Sequence, residues 1–245
     1  MILARISRAI REQNWLAVAI EFVIVVAGVM LAFQFTAWNE QSQNAVRVEQ
    51  ALARLQLETE ENIGALRQRI DANARRGADQ QVMIAVAMRG HLEDGEAEAF
   101  ERGVAQLMYF SRHPVRRSIY QALEQSGDLA LIADRDLVIA LNRYQASLAW
   151  IDNQHASFRR GLTTFTDTLA EFSFHEPTDD PTITRVRVDL ERLAAEPRRT
   201  SALVQMARMH AIFGYYVIQL EAETVELCHR LADATGRPCA EERTP

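Results

Sequence analysis

From Leu16 to Ala37 the chain reads LAVAIEFVIVVAGVMLAFQFTA, 22 residues with one charge, Glu21, and one amide, Gln34. Wound as a helix, this run spans roughly 33 Å, against a hydrocarbon core of about 30 Å. Trp15 and Trp38 stand at its two ends, where indole rings favour the headgroup level. Arg5, Arg8 and Arg11 precede it, and the next basic residue is Arg47. Positive charge concentrated on the leading side places the N-terminus in the cytoplasm and everything after Trp38 across the membrane. The expected layout is a cytoplasmic N-terminus (1–15), a transmembrane helix (16–38), a periplasmic helical bundle (39–235) and a C-terminal tail (236–245). The corresponding localisation is the bacterial inner membrane, single-pass, with membrane lipid as the first partner.

A cleaved signal peptide shares the basic start. Its apolar run is shorter, about 7–15 residues, and it ends in a small-x-small site that is missing here. A buried core helix would not keep 22 residues so free of polar interruption. Glu21 lies about one and a half turns inside the cytoplasmic edge, where a carboxylate must be protonated, reach the headgroups or meet a partner. Snorkelling to the headgroups is one reading, and contact with another membrane helix is the other. Gly28 would permit close approach of such a helix.

Beyond Trp38 the sequence reads as helix. It has only 6 Pro and 10 Gly in 245 residues, and it is rich in strong helix formers. Val48, Leu52, Leu55, Thr59, Asn62 and Leu66 recur at spacings of 4 and 3, a stripe with two polar members. No breaker separates this stripe from the membrane segment, so the helix is expected to continue to about Arg76 and to kink at Gly77. A further helical piece over 78–89 would end at Gly90. A short helix near 96–110 follows, then one opening at Pro114 and closing at Gly127. Asp128 and Asp134 are N-cap candidates.

The strongest pattern runs through Leu137, Leu141, Tyr144, Leu148, Ile151, His155, Phe158, Leu162, Phe165, Leu169 and Phe172. It predicts one long helix ending near His175, before the turn-rich stretch PTDDP. A second seam is Leu203, Met206, His210, Phe213, Val217, Leu220, Thr224, Leu227 and Leu231. The ~25 residues between the seams carry a short amphipathic stretch, TRVRVDLERLAAE, and helices joined this way usually pack antiparallel. Pairing end to start sets Phe172 near Leu203, Phe165 near His210 and Tyr144 near Leu231. The fold class expected is therefore all-α: one N-terminal transmembrane helix continuing into an antiparallel helical bundle with long coiled-coil-like helices.

Two stretches carry a family resemblance. Residues 19–40, AIEFVIVVAGVMLAFQFTAWNE, place a Glu early in the span, a Gly mid-span, a Gln late and Trp-Asn-Glu at the exit. Residues 120–132, YQALEQSGDLALI, place Ser-Gly-Asp between two helices. Together they resemble a family of bacterial single-span membrane proteins of unknown function, with such an anchor and a helical exported domain. Thr36-Ala37 stands where that family has an Asn-rich run. The resemblance implies topology and helicity and brings no activity with it.

Few residues suggest chemistry. Cys228 and Cys239 are the only cysteines. In an oxidising compartment a bridge between them would staple the tail to the last helix. Two free thiols are an alternative, as is a metal site with His229, although adjacent residues point to different faces of a helix. Glu226-x-x-His229 and Asp152-x-x-His155 only loosely match the paired Glu-x-x-His of di-iron bundles. His155 and His210 interrupt apolar seams and read as hydrogen-bonded core histidines. Thr59, Asn62 and Thr224 read as polar register markers. Arg116-Arg117, Arg159-Arg160 and Arg198-Arg199 read as solvated faces. A net charge of −6 disfavours a nucleic-acid partner. All 27 basic residues are Arg.

No nucleophile elbow, phosphate loop or zinc motif is present, so no cofactor and no catalytic residue is expected. The expected role is a protein-interaction or scaffolding module that meets a protein partner or its own copies. The alternative is a ligand-binding or sensory bundle that signals through a partner.

Overall fold

A computed structural model describes residues 15–177 and 184–240, and their side chains over 18–176 and 185–240. Seven α-helices, one 3₁₀ turn and one short hairpin make up the described residues. They are α1 (Trp15–Arg89), α2 (Ala97–Leu107), α3 (Ser118–Ser126), a 3₁₀ turn (Asp128–Leu131), α4 (Arg135–Thr163), α5 (Thr166–Ala170), β1 (Ser173–Pro177), β2 (Thr184–Val188), α6 (Leu190–Ala195) and α7 (Pro197–Thr235). The chain divides into two units, Met1–Gln50 and Ala51–Pro245.

The first unit is described as the opening part of α1. Its apolar window has a mean hydropathy of 2.3 and none of it is buried. Phe22, Leu31 and Phe33 point outward without protein cover. This helix is long and apolar enough to span a membrane, and the absence of packing separates it from a core helix. Glu21, Gly28, Gln34 and Trp38 lie along it and are exposed. The Trp15 side chain and Arg5, Arg8 and Arg11 lie outside the described residues.

The second unit is a helical bundle. Its three long helical segments are α1 from Ala51, α4 and α7. The α1 stripe Leu52, Leu55, Thr59, Asn62 and Leu66 is buried, as is the whole α7 seam from Leu203 to Leu231. The polar members of the α1 stripe hold irregular backbone in place. Asn62 donates from Nδ2 to the Arg116 carbonyl at 2.9 Å and accepts from the Arg116 N–H at 2.9 Å. Thr59 bonds back to the Leu55 carbonyl. Gln56, also buried, donates to the Arg237 carbonyl at 2.7 Å and accepts from the Thr235 hydroxyl at 2.6 Å.

Several expected boundaries move, each for a local reason. Gly77 does not divide α1 into two pieces, since the helix runs unbroken until Gly90 takes up φ +78°. Met83, Val86 and Ala87 are buried just beyond it, and their packing outweighs the ~1 kcal/mol that an interior glycine costs. Pro114 sits in irregular chain outside any helix, and the next helix opens at Ser118 instead. There the buried Glu58 carboxylate accepts from the N–H groups of Ser118 and Ile119 and from the Ser118 hydroxyl, capping α3 from another helix. Gly127 closes α3 in the left-handed region at φ +77°. Asp134 caps α4 by accepting from the N–H groups of Asp136 and Leu137, whereas Asp128 follows the capping position of its turn.

The first long seam is not one helix to His175. Helix α4 ends at Thr163, and α5 and β1 follow. Leu162, Leu169 and Phe172 remain buried across the break, so heptad spacing persisted in sequence while the backbone turned. The stretch TRVRVDLERLAAE also divides, with Thr184–Val188 pairing antiparallel to Ser173–Pro177 and Asp189 capping α6. The alternation of Val and Arg in TRVRV is a strand period. The stretch PTDDP falls largely outside the described residues.

Helices α4 and α7 pack antiparallel, one heptad away from the expected register. Tyr144 Oη lies 3.0 Å from Thr224 Oγ1, not beside Leu231. A heptad seam is nearly self-similar under a seven-residue slip, so a polar pair decides. The buried Tyr144 hydroxyl needs a partner, and Thr224 is the polar position on the facing seam. Burial pushes the Tyr144 phenol up to about 12.

A candidate ligand-binding cavity

Continued at the same 3-and-4 spacing, the α1 stripe reads Leu66, Arg69, Asn73, Arg76, Gln80, Met83. Leu66 and Met83 are fully buried. Between them, four consecutive positions of a buried seam are polar. These four side chains form one wall of a cavity of about 320 Å³. The second wall is α7, with His210, Phe213, Gly214 and Ile218, and the third is the irregular chain Phe110–His113. A β-carbon built at Gly214 would stand 3.8 Å from Asn73 Nδ2, so the missing side chain there leaves the middle of the cavity open.

Helix α7 runs antiparallel to α1, as shown by Asn73 beside Gly214 and Arg67 Nε 2.8 Å from Glu221. The cavity is therefore graded along its length. At one end Gln80 is 5% exposed; at the other Tyr215 is 57% and Ile218 47% exposed.

The third wall is held by the two seam histidines. His210 donates from Nε2 to the Leu107 carbonyl at 2.8 Å, and His155 donates from Nε2 to the Phe110 carbonyl at 3.1 Å. Their rings flank Phe110, with centroids 5.0 Å and 5.3 Å away, and Phe213 closes on it at 4.8 Å. Both histidines thus act as hydrogen-bonded core residues that fix the chain lining the cavity. Burial pushes the His210 imidazole below its usual value; the Leu107 carbonyl opposes this and Arg76 adds to it.

Next along the wall, Arg112 forks onto Asp152, with Nε 2.6 Å from Oδ1. His113 donates from Nε2 to the same carboxylate at 3.0 Å while its Nδ1 accepts from the Val115 N–H. Arg117 approaches Asp152 at 3.6 Å. Burial works to raise the Asp152 carboxyl, but Arg112, His113 and Arg117 outweigh it and hold it low. Burial lowers His113, against the pull of Asp152, so the neutral tautomer satisfies both of its bonds.

Charge is one-sided. Among the described residues, three arginines line the cavity and no Asp or Glu does. Asp152 neutralises Arg112 from outside. Arg69 forms no ion pair among the described residues, and Arg76 bonds only to the Asn73 amide, from Nη1 at 3.3 Å. Burial and the nearby Arg69 charge together pull Arg76 below the ordinary guanidinium value. Two buried donors are left with no acceptor, Arg76 Nε and Gln80 Nε2. One turn apart on α1, they share a face.

Of the residues singled out from sequence, His210 lines the cavity and His155 and Asp152 hold residues that line it; the others fall elsewhere. Cys228 and Cys239 are joined in a disulfide, both fully buried and packed on Ile63. Glu226 pairs with Arg230, and Asp152 and His155 bond to different partners. No three His, Cys, Asp or Glu side chains among the described residues are grouped to hold a metal ion. Arg116 meets Glu61, and Arg198 and Arg199 meet Glu171 and Glu196. Arg159 and Arg160 edge a shallow hollow beside His155. Missed altogether were Phe110 and the four-residue polar run. The run had a signal, since the 3-and-4 spacing continues past Leu66, whereas Phe110 lies in irregular chain with no period to mark it.

No family model, curated protein or solved structure matches the chain.

Proposed function

We propose that this chain is a single-pass inner-membrane protein whose periplasmic helical bundle binds a small molecule in the cavity between α1, α7 and residues 110–113. The observation that carries this reading is the pair of buried donors without acceptors, Arg76 Nε and Gln80 Nε2, in a cavity of about 320 Å³. Buried polar groups in folded proteins are nearly always paired, because an unmade bond costs about 1–3 kcal/mol. Arg76 and Gln80 both line the cavity, with these two nitrogens closed off beneath its surface, and the third unpaired buried atom among the described residues is the Gln106 Oε1 acceptor. Kinship with the single-span family resembled by residues 19–40 and 120–132 belongs to the same proposal, as does the topology.

Two experiments test it. Full-length protein in phosphatidylcholine nanodiscs is screened against a small-molecule library by thermal shift, beside the cavity-filling variant Gly214→Leu. Stabilisers that act on the native chain and not on the variant are expected; equal responses across the library would refute a cavity site. For topology, a C-terminal alkaline phosphatase fusion is expected to be active, and an inactive, well-expressed fusion would overturn the placement.

The scaffolding reading is favoured by one separate observation. Trp150, Tyr215 and Ile218 leave an aromatic and apolar surface uncovered, and the last two edge the cavity's open end. A protein partner seated there would sense whether the cavity is filled.

A further inference from the structure

Resting on the ligand-binding proposal, we infer that the cavity takes an organic anion, with a single carboxylate head bound by Arg76 and Gln80 and an apolar or aromatic body reaching toward Ile70 and Ile218. The head is specified by what surrounds the deep end. Arg76 Nε and Gln80 Nε2 are both donors, both buried and both unpartnered. Both residues line the cavity and stand four apart on one helix face, about 5–6 Å from each other, so a rotation of their outer side-chain torsions, which brings the enclosed nitrogens to the cavity surface, lets the two oxygens of one carboxylate accept from both. A neutral carbonyl would satisfy one donor and leave the Arg76 charge uncompensated. Arg76 is already strained by burial and by Arg69, and no Asp or Glu among the described residues lines the cavity to relieve it. A cationic ligand would add to that repulsion.

The body is specified by the other walls. Phe110 and Phe213 face each other at 4.8 Å, and Ile70 and Ile218 line the far end. From the level of Gln80 to that of Ile70 is about 15 Å along the helix, at 1.5 Å per residue. With a water occupying ~30 Å³ in the liquid, the volume suits a molecule on the order of ten to fifteen non-hydrogen atoms. A bare inorganic anion would leave most of this apolar surface wet. Arg69, half-buried near the open end, would draw the anion inward.

The test uses the full chain in phosphatidylcholine nanodiscs with four probes: 3-phenylpropionate, its amide, inorganic phosphate, and phosphatidylglycerol added to the disc. Phenylpropionate is expected to raise the melting temperature and to bind at least tenfold tighter than the amide. Arg76→Met and Gln80→Met are each expected to weaken its binding at least tenfold. Gln80→Met should fold at least as well as the native chain, so the test survives a poorly folded Arg76→Met. Equal binding of the amide would overturn the anion assignment while leaving small-molecule binding standing. Stabilisation by phosphate or phosphatidylglycerol without phenylpropionate would overturn the carboxylate-and-body assignment in favour of a bare anion or a lipid headgroup. A phenylpropionate response that survives Gly214→Leu would overturn both this inference and the proposed site. No response to any probe would overturn this inference alone, since the library screen answers separately for the site.

Discussion

Replacing Gln80 by Met should make the unliganded protein more stable. Gln80 is 5% exposed and its Nε2 has no acceptor. Leaving a buried donor unmade costs about 1–3 kcal/mol relative to an apolar group of the same shape. Methionine has nearly the same length and similar helix propensity, and it adapts to an irregular cavity wall. The cavity beside it keeps overpacking strain small. The expected gain is about 1–2 kcal/mol, less than the full penalty because Met also exposes apolar surface to a wet cavity. For a folded unit of this size each kcal/mol moves Tm by about 2–4 °C, so a rise of about 2–8 °C is expected. Chemical denaturation of full-length protein in nanodiscs should show a higher midpoint at unchanged slope. A fall in stability of 1 kcal/mol or more would refute the reasoning. It would mean that the amide is engaged in the free protein, for which Gln106 Oε1, buried without a donor, is the nearest explanation.

Three further outcomes are expected. Opening the Cys228–Cys239 bridge, eleven residues apart, should cost about 3 kcal/mol in the chain-entropy model; protein isolated without reductant and titrated for thiols under denaturant should give none until reductant is added, and two free thiols would remove the bridge. His113 and His210 both have folded-state values below the ordinary 6.5, so under acid the unfolded chain takes up protons that the folded chain refuses. Stability is then fully present above about pH 7 and falls as pH drops below 6.5, by at most about 1.4 kcal/mol per pH unit for each histidine; His113 faces Asp152, Arg112 and Arg117, and His210 faces the Leu107 carbonyl and Arg76. Denaturation midpoints that are flat from pH 7.5 to 5.5 would contradict this. Gly103→Ala should destabilise by about 1–3 kcal/mol through overpacking, because the new methyl would lie 2.7 Å from the Asp79 carbonyl oxygen and 2.9 Å from Met83 Cβ; a neutral melt would show that α2 can shift away from α1.

What the sequence revealed of the fold follows the range of the forces involved. The α7 seam was legible in full because all nine of its positions lie on one uninterrupted helix and face one core. The α4 seam was legible in which residues are buried and misleading in backbone, since Leu162, Leu169 and Phe172 face inward whether the chain is helical or turns at Thr163. The register of the two seams was not legible. Heptad spacing leaves slips of seven residues nearly degenerate, and the discriminating contact, Tyr144 with Thr224, joins residues eighty apart. The start of α3 was missed for a similar reason. Its cap is Glu58, sixty residues upstream, while Pro114 offered a local signal that the tertiary structure does not use.

The candidate site was hidden by treating a seam as finished once it ceased to be apolar. Arg69, Asn73, Arg76 and Gln80 occupy seam positions between two fully buried residues, and a helix that only needed stability would place leucines there. The unpaired Arg76 and Gln80 donors among them lower the stability of the empty protein, as the Gln80→Met prediction makes measurable. Such a run would persist where an occupant restores what the empty cavity lacks. The same logic separates Arg76 and Gln80 from His155, His210, Thr59 and Asn62, polar seam residues that each donate to a backbone carbonyl inside the chain. In a buried stripe, then, the informative polar residue is the one that the rest of the fold leaves unanswered.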